Sequence, residues 1–443
     1  MKKLFTLIAL VSFSFAAMAQ WMPQASGFSD PSRGISFLHA VNEDIAWASA
    51  YDGSGSGLTI NEITTTSDGG NTWNASSVLG GNTYGIGNIC GISATTAYVT
   101  IYKGSGNQDN TCGVYKTTDG GATWTQLPGA LQGSASFANN VYFWNEQEGM
   151  CHGDTESGYF EIYYTTDGGT TWTRVPESSI TNGTPLSGEG GWTSSITATG
   201  ESTVMFGTNK GRIFISNDKG ITWRATATGI PSPPSNGGIN ALSFIDENNG
   251  LAAQMSAPTR LYKTTDGGAT WTPITPNGPF LTNDMSAVPG TEASYVSTGA
   301  ATGFTGVSYS TDGGLNWKYY EGTETIQFLA VDFYNPTTGW AGAFNIDQFT
   351  DGMYKFNADF TPVADVAKQD FNIYPNPATS VINVQSKDNM TSVQLINLAG
   401  QVVYENNAKS DFTTISTSHF PKGIYMLAIT SDKGVTTRKV SIR

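Results

Sequence analysis

One octet recurs six times along this chain. Thr66-Ser67-Asp68-Gly69-Gly70-Asn71-Thr72-Trp73 returns at 117–124, 165–172, 216–223, 264–271 and 310–317, with Asn316 in place of the threonine in the last copy. The aspartates, Asp68, Asp119, Asp167, Asp218, Asp266 and Asp312, stand 51, 48, 51, 48 and 46 residues apart. Spacing of that length and regularity marks a stack of repeated supersecondary units. The octet also has a physical logic. An Asp carboxylate accepts hydrogen bonds from backbone N–H groups a few residues on and closes a tight turn. The glycines allow the positive φ that such turns need. The indoles of Trp73, Trp124, Trp172, Trp223, Trp271 and Trp317 then cover the turn and pack on their neighbours. The octet reads as a turn lock between two antiparallel strands.

Each repeat supplies three more strands ahead of the box. Ile239 to Ile245 followed by Gly250 to Ser256 is one first-and-second pair, and Ala138 to Trp144 followed by Gly149 to Gly153 is another. Gly113-Val114-Tyr115-Lys116 is a third strand running into its box. Four strands in about 45 to 50 residues is the period of a β-propeller blade. A seventh unit follows the sixth box: Phe328 to Phe333, Gly339 to Gly342 and Gly352-Met353-Tyr354-Lys355, with no box and no fourth strand. The missing strand is expected at the other end, where Gln20-Trp21-Met22-Pro23 matches Thr123-Trp124-Thr125-Gln126. Closure by that segment would remove the exposed sheet edges. The stretch from Gln20 to Asn357 resembles the Asp-box (BNR) repeat proteins. That group includes sialidases, xyloglucanases, sortilin-type receptors and photosystem II assembly-factor-like propellers. The resemblance implies a fold, while function stays with the site.

The repeat stops after Asn357. Residues 358–370 read as a linker, and 371–443 hold several short alternating strands, as in a small β-sandwich. The expected fold class is therefore all-β, a seven-bladed propeller followed by that sandwich. The tail carries Tyr374-Pro375-Asn376-Pro377, Leu395 to Val403, Pro421 to Leu427 and the terminal Lys439-Val440-Ser441-Ile442-Arg443. It closely resembles the type A C-terminal sorting domain of the type IX secretion system of Bacteroidota. That resemblance implies handling by the secretion machinery, export through the outer membrane, and release or attachment at the cell surface. At the other end Lys2 and Lys3, the apolar run Leu4 to Phe15 and Ala17-Met18-Ala19 read as a signal peptide over 1–19. No transmembrane segment is expected in the mature chain.

The formal net charge is −14, and loss of Lys2 and Lys3 takes it to −16. That balance argues against nucleic acid and anionic membranes as partners. An odd count of cysteines, Cys90, Cys112 and Cys151, leaves at least one thiol free, and all three read as small buried hydrophobes. No Cys/His cluster has zinc spacing, His39, His152 and His419 are dispersed, and no nucleotide-binding motif appears, so no metal and no cofactor is expected.

By blade geometry the boxes lie on the face opposite the usual ligand entrance, so their aspartates are expected to be structural. The ligand face would carry Asp52, Lys103, Asp109, His152, Asp154, Glu156, Glu189, Trp192, Lys210, Arg260, Asp284 and Asp347. Among these, His152, Asp154, Glu189, Trp192 and Arg260 are the ligand-binding candidates. A glycoside hydrolase needs two carboxylates flanking the scissile bond, which Asp154, Glu156, Glu189 and Asp284 would have to supply. A sialidase also needs an arginine cluster, and Arg174 and Arg224 sit instead just after box tryptophans, on outer strands. The expected function is a noncatalytic secreted or cell-surface propeller that binds glycan or protein ligands. A polysaccharide-directed glycoside hydrolase is the alternative.

Overall fold

The computed structural model describes residues 20–132, 137–229, 238–255, 259–360, 371–397, 400–407, 409–431 and 434–443. The expected signal peptide, residues 361–370 of the linker, Ser256, and Leu398-Ala399 of the tail lie outside them. The chain divides between Phe360 and Thr361 into two compact units.

The first unit is a ring of seven antiparallel sheets, each a meander whose strands we name A to D from the axis outward. Blade 1 comprises Arg33–Ala40, Ala46–Asp52, Glu62–Thr66 and Asn74–Ser77, and blade 2 comprises Tyr84–Gly91, Ala97–Lys103, Gly113–Thr117 and Thr125–Leu127. Blade 3 runs Ala138–Phe143, Gly149–Glu156, Tyr159–Thr165 and Thr173–Arg174. Blade 4 runs Gly191–Thr199, Thr203–Thr208, Arg212–Ser216 and Trp223–Ala227, with Ile180–Thr181 added parallel to its outer strand. Blade 5 is Ala241–Phe244, Gly250–Gln254, Arg260–Thr264 and Thr272–Ile274, and blade 6 is Asp284–Ala287, Tyr295–Ala301, Phe304–Ser310 and Lys318–Tyr319.

Blade 7 takes strands A to C from Phe328–Asn335, Thr338–Asp347 and Thr350–Phe356, and strand D from Trp21–Ala25 at the start of the chain. The pairing runs from Trp21 opposite Phe356 to Ala25 opposite Gly352, as the matched segments led us to expect. Trp21 is buried against Tyr320, Phe333 and Phe356, with ring centroids 5.3 to 6.0 Å away. Phe360 joins the same core and stacks on Phe356 at 5.1 Å.

Strand B of each blade is buried between neighbouring blades, and in several blades it mixes small residues with one large one. Ala46, Ala48 and Ala50 in blade 1, Ala252 and Ala253 in blade 5, and Ala341 and Ala343 in blade 7 are all buried. Trp47, Tyr98 and Trp340 in strand B of blades 1, 2 and 7 are fully buried as well, so small and large side chains interdigitate across adjacent sheets.

The second unit is a single hydrogen-bonded sheet that curls on itself. The strands expected over 371–443 are short, yet one 16-residue strand runs Val381–Ile396. Its first half pairs with Phe371–Tyr374 and Ser410–Ser416, and its second half with Val402–Asn406 and Gly423–Ser431. A register shift between Gln385 and Met390 marks where one set of partners gives way to the other. Ile382, Val384 and Ile415 from one half and Val393, Leu395, Leu427 and Ile429 from the other share a single core. The chain thus bends through the change of partners and needs no break.

Trp21→Ala removes the central side chain of the blade that joins the two ends of the ring. The expected cost is about 3–5 kcal/mol, the range for deleting a buried aromatic. Denaturant unfolding followed by tryptophan fluorescence measures it, and a cost below about 1 kcal/mol would contradict closure by this strand.

Candidate functional site

The boxes are built as their chemistry requires. In the first, Asp68 Oδ1 accepts from the Thr72 N–H at 2.9 Å and Oδ2 from the Thr72 hydroxyl at 2.7 Å. The Thr66 hydroxyl donates to Asp68 and accepts from the Gly70 N–H at 2.8 Å. Asp119, Asp167, Asp218 and Asp266 repeat this set, and in the sixth box Asn316 Nδ2 replaces the threonine hydroxyl on Asp312 at 2.7 Å. The Thr123 hydroxyl and backbone hold the Asp119 carboxyl down at about 2.

Each box is also tied to the A–B turn of its own blade. The Gly69 N–H donates to Asp44, Gly120 to Thr95, Gly168 to Gln147, Lys219 to Ser202, Gly267 to Asn248 and Gly313 to Ala293, at 2.8 to 3.0 Å. Boxes and A–B turns therefore share one face, and the B–C and D–A connections share the other. Blade 7 has no box, yet its Lys355 reaches the Gly69 carbonyl of blade 1 at 2.9 Å. The boxes spend their polar groups on the scaffold.

Strand A of every blade presents an inner edge to the axis, where its N–H groups face no further strand. At the 7–1, 1–2, 2–3, 5–6 and 6–7 junctions, side chains of the preceding blade meet those donors. Asp332 of blade 7 accepts from Ala40 N–H at 2.9 Å, His39 Nδ1 from Gly91 at 2.8 Å, Cys90 Sγ from Phe143 at 3.3 Å and Ser243 Oγ from Ala287 at 2.6 Å. One pleat nearer the B–C face, Asn88 accepts from Val141 at 2.8 Å and Asp284 from Val331 at 2.9 Å. These bonds form a belt running from blade to blade.

Inside the belt lies a channel of about 690 Å³, lined by strand A of all seven blades. Corresponding positions contribute His39, Cys90, Tyr142, Thr197, Ser243, Ser286 and Asp332, and Asn88, Asn283 and Asp284 lie nearer the B–C face. None of its described lining residues is a lysine or arginine. Asp284, Asp332 and His39 keep part of their surface open to the channel but are ringed by protein. Burial pushes the Asp284 carboxyl up to about 6, against the Val331 and Met285 N–H groups that favour its charge. Burial pushes Asp332 up to about 7, and the Asp284 charge adds to that rise. Burial lowers His39 to about 4, so its ring is neutral at pH 7. A carboxylate pair with raised pKa values in a cleft is a functional-site signature.

The residues singled out from sequence go to different places. Asp284 lines the channel. His152 is fully buried between blades 3 and 4, stacked on Phe206 at 3.8 Å, with Nε2 2.9 Å from Asn140 Nδ2. Burial lowers it to about 3. Asp154 accepts from Asn139 at 2.9 Å and from the Gly191 N–H at 3.0 Å, and burial raises its pKa. Glu156 pairs with Arg174 at 2.5 Å. Glu189 is buried in an ion pair with Arg212 and accepts from Thr208 at 2.7 Å. The Trp192 carbonyl accepts from Asn140 at 2.8 Å, while Arg260 reaches Gln254 at 3.4 Å. Lys103 pairs with Asp109 at 3.0 Å, and Asp52 with Arg33 at the same distance.

Sequence reasoning passed over His39, Ser243, Ser286 and Asp332. Aligning the repeats on strand A would have exposed them, because the same inward position is polar or titratable in blade after blade. Among the described residues, no three His, Cys, Asp or Glu side chains gather as a metal site would require.

The fold and its tail define a secreted Asp-box propeller. Residues 372–443 match the secretion system C-terminal sorting domain, and the protein is exported by the type IX system to the cell surface or extracellular space. Residues 108–343, more than half of the chain, match the family described as photosynthesis system II assembly factor YCF48, and the chain belongs to that family. The solved structure of YCF48 bound to D1 peptide is 15% identical with a TM-score of 0.52, over 77% of this chain and 97% of that one. YCF48 from Cyanidioschyzon merolae is 15% identical with a TM-score of 0.49, over 76% and 99%. PorZ of Porphyromonas gingivalis is 12% identical with a TM-score of 0.46, over 91% of this chain and 58% of that one. At 15% identity the likeness to the first of these shows the propeller fold alone. No curated protein matches the chain. No helix among the described residues is long and apolar enough to cross a membrane.

The raised carboxyl pKa values carry a stability signature. Between about pH 4 and pH 7 folded Asp284 and Asp332 hold protons that the unfolded chain has released, so their contribution falls as pH rises through that window. Thermal midpoints of the wild type and Asp332→Asn, measured from pH 5 to pH 8, test this. The decline with rising pH is expected to be shallower in the variant, and equal slopes would contradict the channel environment described.

Proposed function

We propose that the protein is a secreted, noncatalytic binding module that takes a glycan or protein ligand at the channel mouth opposite the Asp boxes. The channel carries this reading. It holds about 690 Å³, reaches Tyr51 at the B–C end of blade 1, and offers hydroxyl, amide and carboxylate groups from a ring of seven strands.

The arrangement of acids favours binding over turnover. Of the four carboxylates a glycoside hydrolase would draw on, only Asp284 lines the channel. Glu156 and Glu189 are neutralised by arginines, and Asp154 joins blade 3 to the start of blade 4. The remaining acid in the lining, Asp332, is occupied by Ala40 N–H, Phe333 N–H and the Ser286 hydroxyl. A glycosidase needs one carboxyl free to protonate a leaving group and another facing it across the bond.

Glycan and protein arrays probed with the purified chain test the reading. Saturable binding is expected, with no release of reducing ends from a polysaccharide panel. Thr197→Trp, which narrows the channel, is expected to weaken binding at least about tenfold, a loss of roughly 1.4 kcal/mol, while Glu156→Gln leaves it unchanged. Turnover abolished by Asp284→Asn or Asp332→Asn would replace this reading with the hydrolase.

A further inference from the structure

The channel mouth has an apolar rim where blade 7 meets blade 1. Ile346 and Phe349 crown the B–C hairpin of blade 7, 62% and 82% exposed, and Tyr51 at the end of strand B in blade 1 is 51% exposed. The rim is a built surface. Tyr51 and Phe344 meet edge to face with ring centroids 6.2 Å apart. The Phe344 ring slots between the blades because Gly34 and Gly53 leave room for it; a Cβ at either would run into the ring. Tyr51 also lines the channel, so the rim continues into the cavity that holds Asp284 and Asp332. Exposed apolar side chains in a contiguous patch mark interaction sites more often than chance exposure does.

The charge around this rim is one-sided. Arg33 is almost buried, and its guanidinium faces Asp30 at 2.7 Å, Asp52 at 3.0 Å and Glu62 at 2.9 Å. One positive charge thus stands against three carboxylates, and Asp30 remains 61% exposed. Asp347 adds a further exposed carboxylate on the Phe349 hairpin, held beside the Arg33 segment through Asn345. The next acids inward are Asp284 and Asp332, in a lining without a described cation. A neutral glycan would satisfy the aromatic surface but not this charge. An anionic glycan would be repelled.

We infer that the rim of Tyr51, Phe344, Ile346 and Phe349 docks a protein segment in which basic side chains alternate with apolar ones. The apolar side chains lie on the rim, and a basic side chain enters the channel toward Asp284. This rests on the binding reading above and narrows its ligand to one class. Long-range attraction to the acidic mouth speeds encounter, and the desolvated aromatic contacts supply most of the affinity.

Fluorescence anisotropy with two synthetic probes tests it on the full chain. One is a short labelled peptide of alternating lysine and phenylalanine, the other its glutamate–phenylalanine counterpart. The lysine peptide is expected to bind, more weakly as salt is raised, and the glutamate peptide is not. Phe349→Ser and Asp347→Lys, both exposed and so compatible with an unchanged thermal midpoint, are each expected to weaken binding about tenfold. Leu315→Ser, an exposed apolar change on the box face, leaves it unchanged. Equal binding of the two peptides, or indifference to Phe349→Ser and Asp347→Lys, overturns the proposal. Neutral oligosaccharides bound in a way that Thr197→Trp abolishes, with no peptide binding, would leave the binding reading standing and remove the peptide one.

Discussion

The architecture depends on the antiparallel pairing of Trp21–Ala25 with Gly352–Phe356, because it joins the first strand of the ring to the last. Six blades complete themselves from contiguous sequence. The seventh does not, and without its outer strand blades 7 and 1 would meet across an unpaired edge. The segment that follows continues the work: Asn345 of blade 7 accepts from the Arg33 N–H and donates to the carbonyls of Phe28 and Asp30. Blade 7 is thus fixed to blade 1 by backbone pairing, a buried amide and the Lys355 contact to the first box. The apolar rim and the acidic mouth lie at this same junction.

Two kinds of hydrogen bonding divide the labour inside the ring. The boxes act locally, each closing one turn and binding it to the A–B turn of the same blade. The belt acts between blades, giving inner-edge N–H groups an acceptor that the sheet itself lacks. Its acceptors differ in chemistry: a carboxylate, an imidazole, a thiol and a hydroxyl serve at corresponding positions. Where the acceptor is a carboxylate, at Asp284 and Asp332, burial raises its pKa and leaves a channel with proton-sensitive charge on one side. A neutral acceptor would cap an N–H as well. The two carboxylates are therefore what distinguishes this side of the channel as a site.

This division also explains what could be read from sequence. The boxes were legible because Asp68 and its partners lie within six residues of one another, so the motif carries its whole geometry. The closing strand was legible because Trp21 copies the start of other fourth strands. The belt was not, since Asp332 meets Ala40 across 292 positions and His39 meets Gly91 across 52. A polar residue in a strand gives no local sign that it faces a channel. Glu189 and Asp154 drew attention as acids near a predicted mouth, yet sequence could not show that Arg212 and the Gly191 N–H were waiting for them. In the tail, the single strand Val381–Ile396 was hidden because its change of partners, not its composition, makes the bend.

The ring is closed, and side chains cap its inner edge at the 7–1, 1–2, 2–3, 5–6 and 6–7 junctions. Site-resolved hydrogen exchange of the Ala40, Gly91, Phe143, Ala287 and Val331 amides measures this most directly. Slow exchange is predicted at all five, although no strand lies on the side that each N–H faces, and fast exchange at Ala40 when Asp332 is replaced by alanine. Exchange of these amides at the rate of open, water-facing groups would contradict it.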